Sequence, residues 1–156
     1  MHVLKNKLHL RMDNSEFRSS CTLSSALDLV GDRWSLLIIR DLFLNRNTYS
    51  AILKSPEKIS TNVLVDRIKK LRSNGIIDFV KDKNDKKIKY YYLTNSGIDF
   101  YSVITEFSLW TKKHLNKETS PLSVAVFKEI DIKGVDVHNK DAMEAYLKTR
   151  KEILNK

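Results

Sequence analysis

The chain has 156 residues, of which 42% are hydrophobic and 30% are charged, and its formal net charge is +9. This length suits one domain, or one domain with an extension, and the apolar fraction excludes a chain that is disordered throughout. The apolar runs are far shorter than the roughly 20 residues of a membrane span and no signal peptide is visible, so we expect a soluble, cytoplasmic protein without membrane association.

Residues 1–20 are polar and weakly periodic, and we expect an N-terminal arm there, either a short helix or an irregular segment. The next ten residues predict a helix, because apolar side chains recur at helical spacing at Leu23, Ala26, Leu27 and Val30. Gly31 is expected to end this helix with a positive φ.

A second helix is predicted over about 33–44, with Asp32 as its cap. Asp41 is the polar exception on the apolar side of this helix, which otherwise has the pattern of a core element. A short helix over about 49–54 follows, capped by Asn47 or Thr48.

The next helix is basic and runs from Ser60, its expected cap, to Asn74-Gly75, which stop it. Its apolar stripe consists of Leu64, Ile68 and Leu71. Two strands are predicted over 76–82 and 87–93, joined by a charged turn. A helix followed by a lysine-tipped hairpin is the outline of a winged helix, which places one helix in the DNA major groove.

The positive charge is concentrated in this region. Residues 54–89 hold 11 Lys or Arg against 5 Asp or Glu, so they carry +6 of the net charge of +9. A solubility charge would be spread more evenly, whereas a concentrated charge favours a polyanionic partner over a merely solvated surface. We predict an α+β, mostly α fold: a winged helix-turn-helix with a two-stranded wing and flanking dimerisation helices, which binds double-stranded DNA.

A long helix is predicted from the Thr94 cap to about Leu115, with apolar side chains along two of its sides. One line contains Ile98, Tyr101, Ile104 or Thr105, and Ser108, and the other contains Phe100, Val103, Phe107 and Trp110. Such a helix is usually covered by its own domain and by a partner subunit. Residues 122–130 fit either helix or strand, and 139–155 predict a final helix with Met143, Leu147 and Leu154 on one side.

Several short motifs together resemble the HxlR family of bacterial winged helix-turn-helix regulators, which are related to the MarR group. They are Cys21, Leu27-Asp-Leu-Val-Gly31-Asp-Arg-Trp34, Tyr49-Ser-Ala-Ile-Leu53, Ile59-Ser60, Leu64, Leu71, Gly75-Ile76-Ile77 and Tyr90-Tyr-Tyr-Leu-Thr-Asn-Ser-Gly97. The resemblance covers roughly 21–115, taken as the winged-helix domain with its dimerisation helix. Residues 116–156 are then a C-terminal extension, expected to be helical. Thr22 departs from the family, in which a proline often follows the cysteine.

The resemblance implies a transcriptional regulator, a homodimer that binds a pseudo-palindromic operator. An enzyme is not expected, because the sequence shows no Gly-rich phosphate loop, metal-ligand cluster or nucleophile–base motif. The alternative is a winged-helix module used for protein or RNA contacts. A small-molecule or oxidant signal is compatible with the family. No cofactor or metal is expected, because Cys21 is the only cysteine and the four histidines lack ligand spacing.

In a winged helix the first half of the recognition helix enters the groove. In this chain that half presents Ser60, Thr61, Asn62, Val65, Asp66 and Lys69. Asn62 can pair bidentately with adenine, or it contacts phosphate or only solvent. Asp66 can accept from cytosine, but a pair with Lys69 or Lys70 within the helix is the favoured interpretation.

Phosphate contacts are expected from Lys69, Lys70 and Arg72, which would supply affinity without sequence information. On the wing, the candidates for phosphate or minor-groove contacts are Lys83, Lys86, Lys87 and Lys89. The alternative for these four is a lysine-rich hairpin that resists edge-to-edge aggregation.

Cys21 is a candidate redox-sensing residue, since a cysteine at this position senses oxidants or electrophiles in several members of the family. It lies near a predicted helix N-terminus, where the helix dipole favours thiolate, and Arg18 is close in sequence. Oxidation would link two subunits or form a mixed disulfide. The alternative is an inert small residue in a dimer interface.

Overall fold

Seven helices and one two-stranded sheet make up residues 17–156, the part of the chain that the computed structural model describes. In chain order they are α1 (Thr22–Val30), α2 (Ser35–Phe43), α3 (Tyr49–Leu53), α4 (Thr61–Ser73), β1 (Ile77–Lys81), β2 (Lys89–Leu93), α5 (Asn95–His114), α6 (Pro121–Lys133) and α7 (Val135–Leu154). This confirms the mostly helical, winged-helix architecture. Most of the predicted arm, residues 1–16, lies outside the described residues.

The junction between α1 and α2 differs in detail from the prediction. Gly31 has φ −74°, so it is not the positive-φ residue that was expected. A glycine is needed there for space instead, because a Cβ would lie 2.4 Å from the carbonyl oxygen of Leu27. The predicted cap at Asp32 was wrong, because Trp34 occupies the cap position of α2 and the helix begins at Ser35. Asp32 instead stabilises the turn before the helix, where its carboxylate accepts from the backbone N–H groups of Trp34 and Ser35, at 2.9 and 3.0 Å.

The basic helix α4 has the predicted span, and Gly75 follows its end with φ +67°. Ser60 occupies the cap position, but its side chain makes no capping hydrogen bond, so that part of the prediction was wrong. Leu64 and Leu71 are fully buried and Ile68 nearly so, which confirms the apolar stripe. This burial holds α4 against the core that α2 and the sheet provide.

The two strands pair antiparallel, with Ile77 opposite Leu93 and Lys81 opposite Lys89. Each strand is shorter than predicted at the end near the turn. Asp82 causes this shortening, because its carboxylate accepts from the backbone N–H groups of Asn84 and Asp85 and so curls the chain into a turn. On the other side of β2, the N–H of Tyr91 donates to Asn47, 2.7 Å away.

The C-terminal extension folds back onto the winged-helix part. Residues 122–130, which the sequence left open between helix and strand, lie within α6, whose first turn is capped by the Ser120 hydroxyl. The final helix α7 begins at Val135, four residues earlier than predicted. Its buried residues include Tyr146 and Ile153, whereas Leu147 and Leu154 are 37% and 47% exposed. The predicted apolar side of this helix was therefore wrong for Leu147 and Leu154, whereas Met143 packs against the core as predicted.

Helix α5 buries one of its two apolar lines within the chain and leaves most of the other exposed, although Phe100 of that second line packs against the core. Ile98 and Thr105 are buried, whereas Phe107 and Trp110 are 60% and 56% exposed. Exposed apolar side chains of this size are typical of interaction surfaces. Within residues 17–156, no helix combines the length and apolar character needed to span a membrane.

Candidate nucleic-acid interface

One side of α4 is free of tertiary packing, and it carries the predicted groove-facing residues. Thr61, Asn62, Asp66 and Lys69 are exposed, and Val65 is 41% exposed. Ser60, just before the helix, is exposed as well. These positions lie opposite the buried stripe, as helical periodicity requires, so the structure brings them together on one surface.

Helix α3 supports the start of α4. The Tyr49 hydroxyl donates to the carbonyl oxygen of Thr61, 3.2 Å away, and the Thr48 side chain caps α3 by accepting from Ala51. The predicted cap at Thr48 is thereby confirmed. The two helices form a helix-turn-helix in which the first turn of α4 is anchored by a neighbouring side chain.

Asp66 pairs with Arg67, its neighbour in sequence, and not with Lys69 or Lys70. The same guanidinium lies 3.2 Å from Asp32, so Arg67 bridges two carboxylates. The expected pair of Asp66 with a lysine was therefore wrong. An acidic side chain already bound to arginine is a weaker acceptor for a cytosine amino group.

Asp32 is at the centre of this arrangement. Burial would raise the pKa of its carboxyl group, but hydrogen bonds from the Ser35 hydroxyl and from the N–H groups of Trp34 and Ser35 more than offset it. Together with the hydrogen bond from Arg67 they lower the pKa below its ordinary value. The carboxylate thus stays ionised at neutral pH and holds α2 and α4 together.

The three cations predicted to bind phosphate have different surroundings. Lys69 is exposed and forms no ion pair with any residue in 17–156. Lys70 is partly buried, with its ammonium 3.9 Å from Asp32. Arg72 lies 4.3 Å above the Phe79 ring and 3.5 Å from Asp78, so it packs against the wing. Of the three, Lys69 is the most available to an external anion.

The four wing lysines also differ in whether they have a partner within the protein. Lys86 and Lys87 are exposed at the tip and have no ion-pair partner among the residues described. Lys83 donates to the carbonyl oxygen of Asn155, at 2.5 Å, and the Lys89 ammonium lies 4.7 Å from the Phe79 ring centroid. At the turn, the backbone N–H groups of Asp85 and Asn84 donate to the Asp82 carboxylate and lower the pKa of that group below its ordinary value.

A buried charge cluster fixes the loop between α3 and α4. Asp41, the polar exception predicted in α2, is 1% exposed and pairs with Arg40 and Arg46 at 2.7 and 2.9 Å. Arg40 also binds Glu57, at 2.6 Å, and this contact lowers the pKa of Glu57 to about 2. Removing Arg40 would leave Asp41 buried with one partner fewer, which is costly.

Two supporting residues were missed by the sequence analysis. Arg67 was not singled out because it looks like one more surface cation of a basic helix, and Tyr49 was noted only as part of a motif. The position of Arg67 at the border between the apolar and polar sides of α4 was the available signal. Such boundary residues commonly pack their stems and pair their heads.

Cys21 is exposed and stands at the N-cap position of α1, where its carbonyl oxygen accepts from the N–H of Ser25 at 3.0 Å. Arg18 does not assist it as expected, because its guanidinium binds Asp28. Leu23 and Leu27, on the same helix, are 66% and 48% exposed. Among residues 17–156, no group of His, Cys, Asp and Glu side chains is arranged to hold a metal ion.

The structure is similar to solved winged-helix proteins. PA1607 superimposes with a TM-score of 0.60 and 26% identity over 66% of this chain and 72% of that protein. The reduced form of the transcriptional regulator YodB from Bacillus subtilis superimposes with a TM-score of 0.53 and 27% identity, over 65% of this chain and all of that one. The fold is thus shared with proteins of known structure.

Sequence comparison gives the same picture. The chain is 29% identical over 100 residues to the uncharacterised HTH-type transcriptional regulator Rv3095 of Mycobacterium tuberculosis (strain ATCC 25618 / H37Rv), over 64% of this chain and 63% of that protein. It therefore spans somewhat less than two thirds of that relative. It is also 32% identical to YodB of Bacillus subtilis (strain 168) over 56% of this chain and 79% of YodB. Residues 29–119 match the HxlR-like helix-turn-helix family, and the chain belongs to that family.

Proposed function

We propose that this protein is a sequence-specific DNA-binding transcriptional regulator that acts as a homodimer on a pseudo-palindromic operator. The observation that carries the proposal is the pairing of two exposed elements: the polar side of α4 and the wing tip with Lys86 and Lys87. The relatives Rv3095 and YodB are described as HTH-type transcriptional regulators. The proposed mechanism divides the work between base readout and phosphate binding.

Base readout falls to the first half of α4. Thr61 and Asn62 offer short polar groups and Val65 offers methyl groups, all on the exposed side of the helix. Asparagine can bond adenine with two hydrogen bonds, and methyl groups can pack on the thymine methyl. Asp66 has a smaller role in this proposal, because its carboxylate is already paired with the guanidinium of Arg67.

Phosphate binding falls to the lysines that lack partners in the described chain: Lys69 on α4 and Lys86 and Lys87 on the wing. Each contact with a phosphate releases counterions, so affinity should fall steeply as salt rises. Lys70, Lys83 and Lys89 are secondary candidates, since each must first leave an intramolecular partner.

Dimerisation is assigned to the exposed apolar side chains of α1 and α5. Leu23, Leu27, Phe107 and Trp110 are each about half exposed or more in the single chain. A two-fold dimer buries the same patch on both subunits and presents two copies of α4 to two half-sites, about one helical turn of DNA apart. That geometry is the reason for proposing a pseudo-palindromic operator.

Redox control through Cys21 is the finer part of the proposal. Its exposed sulfur can be reached by an oxidant, and it begins the helix that carries Leu23 and Leu27. Two Cys21 thiols from two subunits would form a disulfide by giving two electrons and two protons to the oxidant. The link would constrain α1 at the dimer contact and thereby change the spacing of the two α4 helices.

The test is fluorescence anisotropy of the purified protein with the intergenic DNA that flanks its own gene and with a random duplex, across a salt series. Tight, salt-sensitive binding that prefers the flanking DNA supports a regulator. Equal binding to both duplexes at every salt concentration contradicts sequence-specific recognition. An absence of binding to either one favours a winged helix used for protein or RNA contacts.

A further inference from the structure

Helix α7 makes polar contacts with two distant parts of the fold, one near each of its ends. Near its start, His138 Nε2 lies 3.0 Å from the Tyr101 hydroxyl, and Asn139 accepts from the Thr105 hydroxyl at 2.8 Å. Tyr101 and Thr105 belong to α5, the helix whose other side carries Phe107 and Trp110. His138, Asn139 and Thr105 are buried, so this end of α7 is fixed to α5 by bonds shielded from water.

The other end of α7 binds the outer edge of the wing. The Leu93 N–H donates to the Tyr146 hydroxyl at 2.9 Å. Arg150 donates to the carbonyl oxygen of Leu93, at 3.2 Å, and to the Asn95 side chain, at 2.9 Å. The backbone groups at the edge of a sheet normally bond to water or to another chain. Here they form hydrogen bonds with side chains of α7.

The contact continues to the wing turn. The Lys83 N–H donates to a main-chain oxygen of Lys156, 3.2 Å away, and the Lys83 ammonium donates to Asn155. Lys156 in turn places its ammonium 4.1 Å from the Tyr90 ring centroid. The end of the chain thus lies along β2 from Leu93 to the turn that carries Lys86 and Lys87.

A two-stranded hairpin is only marginally stable by itself, so its position depends on what packs against it. Asn47 binds β2 at Tyr91. On one side of that point α7 binds Leu93, and on the other side the 155–156 segment contacts Tyr90 and Lys83. The direction in which Lys86 and Lys87 point is therefore determined partly by residues of the C-terminal extension.

We propose that Tyr146, Arg150 and the 155–156 segment are positioning residues that hold the wing in place for the DNA backbone, and that α7 connects the wing to α5. This inference rests on the proposed DNA-binding function. Because α7 is a single helix, a displacement of α5 at a dimer contact would reach the wing through it. The wing and the dimer helix then move as one unit rather than independently.

The first test uses the free protein and does not depend on DNA. Amide hydrogen exchange would compare the wild type with Tyr146→Phe and Arg150→Ala, and with Lys148→Ala, an exposed α7 residue, as a matched control. We expect faster exchange at Lys83 and across 89–93 in the first two variants only, with amides of α2 and α4 unchanged. Unchanged wing exchange in both variants would overturn the proposal.

The second test asks whether Arg150 acts through the wing. Anisotropy with a random duplex would compare Arg150→Ala, the double variant Lys86→Ala/Lys87→Ala, and all three changes together. We expect Arg150→Ala to weaken binding about three- to tenfold and to add little once the wing lysines are gone. Additive losses would overturn the positioning role, as would full affinity in Arg150→Ala.

The two tests separate this inference from the proposed function. A wild-type protein that binds no DNA would contradict the proposed function, while amide exchange would still decide whether α7 holds the wing. Binding by the wild type together with an unaffected Arg150→Ala variant would contradict the inference alone. Arg150→Lys, which keeps the charge and one donor group, is expected to recover part of the affinity.

Discussion

Arg67 lies 3.2 Å from Asp32, so an ion pair ties the middle of α4 to the turn that precedes α2. The guanidinium of Arg67 is therefore used inside the protein, although it belongs to the most basic helix of the chain. The cations of this region therefore fall into two groups: those that stabilise the helix-turn-helix by pairing within the protein, and those that are available to a nucleic acid. It also gives a stability prediction that needs no DNA.

Asp32→Ala should lower the free energy of unfolding by about 0.5–2 kcal/mol, because it removes an ion pair and the hydrogen bonds to the backbone of the turn before α2. Asp32→Asn should cost less, since an amide oxygen can still accept from the backbone N–H groups of this turn. The folded-state pKa of Asp32 is lowered, so its contribution is present above the ordinary pKa and is lost as pH falls through the folded value. Urea unfolding between pH 7 and pH 2 measures this, and parallel curves for wild type and Asp32→Asn would contradict it.

Lys86→Ala/Lys87→Ala should weaken binding to every duplex by a similar factor, because phosphate contacts carry no sequence information. The slope of log K against log salt should fall by about 2, close to 0.9 per lost phosphate contact. The matched control is Lys128→Ala/Lys140→Ala, two exposed lysines of α6 and α7. An equal loss in the control would indicate only a general charge effect.

Asn62→Ala should weaken the operator complex by roughly 1–3 kcal/mol while leaving binding to random duplex nearly unchanged, if its amide pairs bidentately with a base. Competition anisotropy with both DNAs measures the difference. Ser73→Ala, on the exposed side near the end of α4, serves as the control. Equal losses on operator and random DNA would assign Asn62 to phosphate and remove it from base readout.

Cys21→Ser should abolish the response of operator binding to a mild thiol oxidant such as diamide, while binding under reducing conditions stays the same. No other cysteine is present in the sequence to substitute for it. Non-reducing electrophoresis would detect the linked dimer in the wild type. A response that persists in Cys21→Ser would show that the signal acts elsewhere.

Trp110→Glu should convert a dimer to a monomer with little loss of folding, because the indole is 56% exposed in the single chain. Sedimentation velocity measures the assembly and circular dichroism the fold. Ala125→Glu adds the same charge at an exposed position of α6 and should leave the assembly intact. Operator affinity should fall in Trp110→Glu, since a monomer presents only one copy of α4 to an operator with two half-sites.

The sequence predicted the elements of the winged helix well because their signals are local. Leu64, Ile68 and Leu71 recur at helical spacing, and Thr48 and Thr94 are caps whose partners lie three residues away. The partners of Arg67, Lys83 and Arg150 were not predictable, since each depends on a residue distant in sequence. On α7, Met143, Tyr146 and Ile153 share the buried side at helical spacing. The sequence analysis favoured Leu147 and Leu154 instead, because the contact of Tyr146 with Leu93 depends on a residue distant in sequence.

The bond between Leu93 and Tyr146 joins residues 53 positions apart. A chain emerging from the ribosome therefore displays the whole helix-turn-helix and both wing strands before the helix that closes the edge of β2 has been made. During that interval the strand has free hydrogen-bonding groups, which nascent neighbours on a polysome can pair with. The last helix thus limits the time in which the newly made protein is exposed to aggregation.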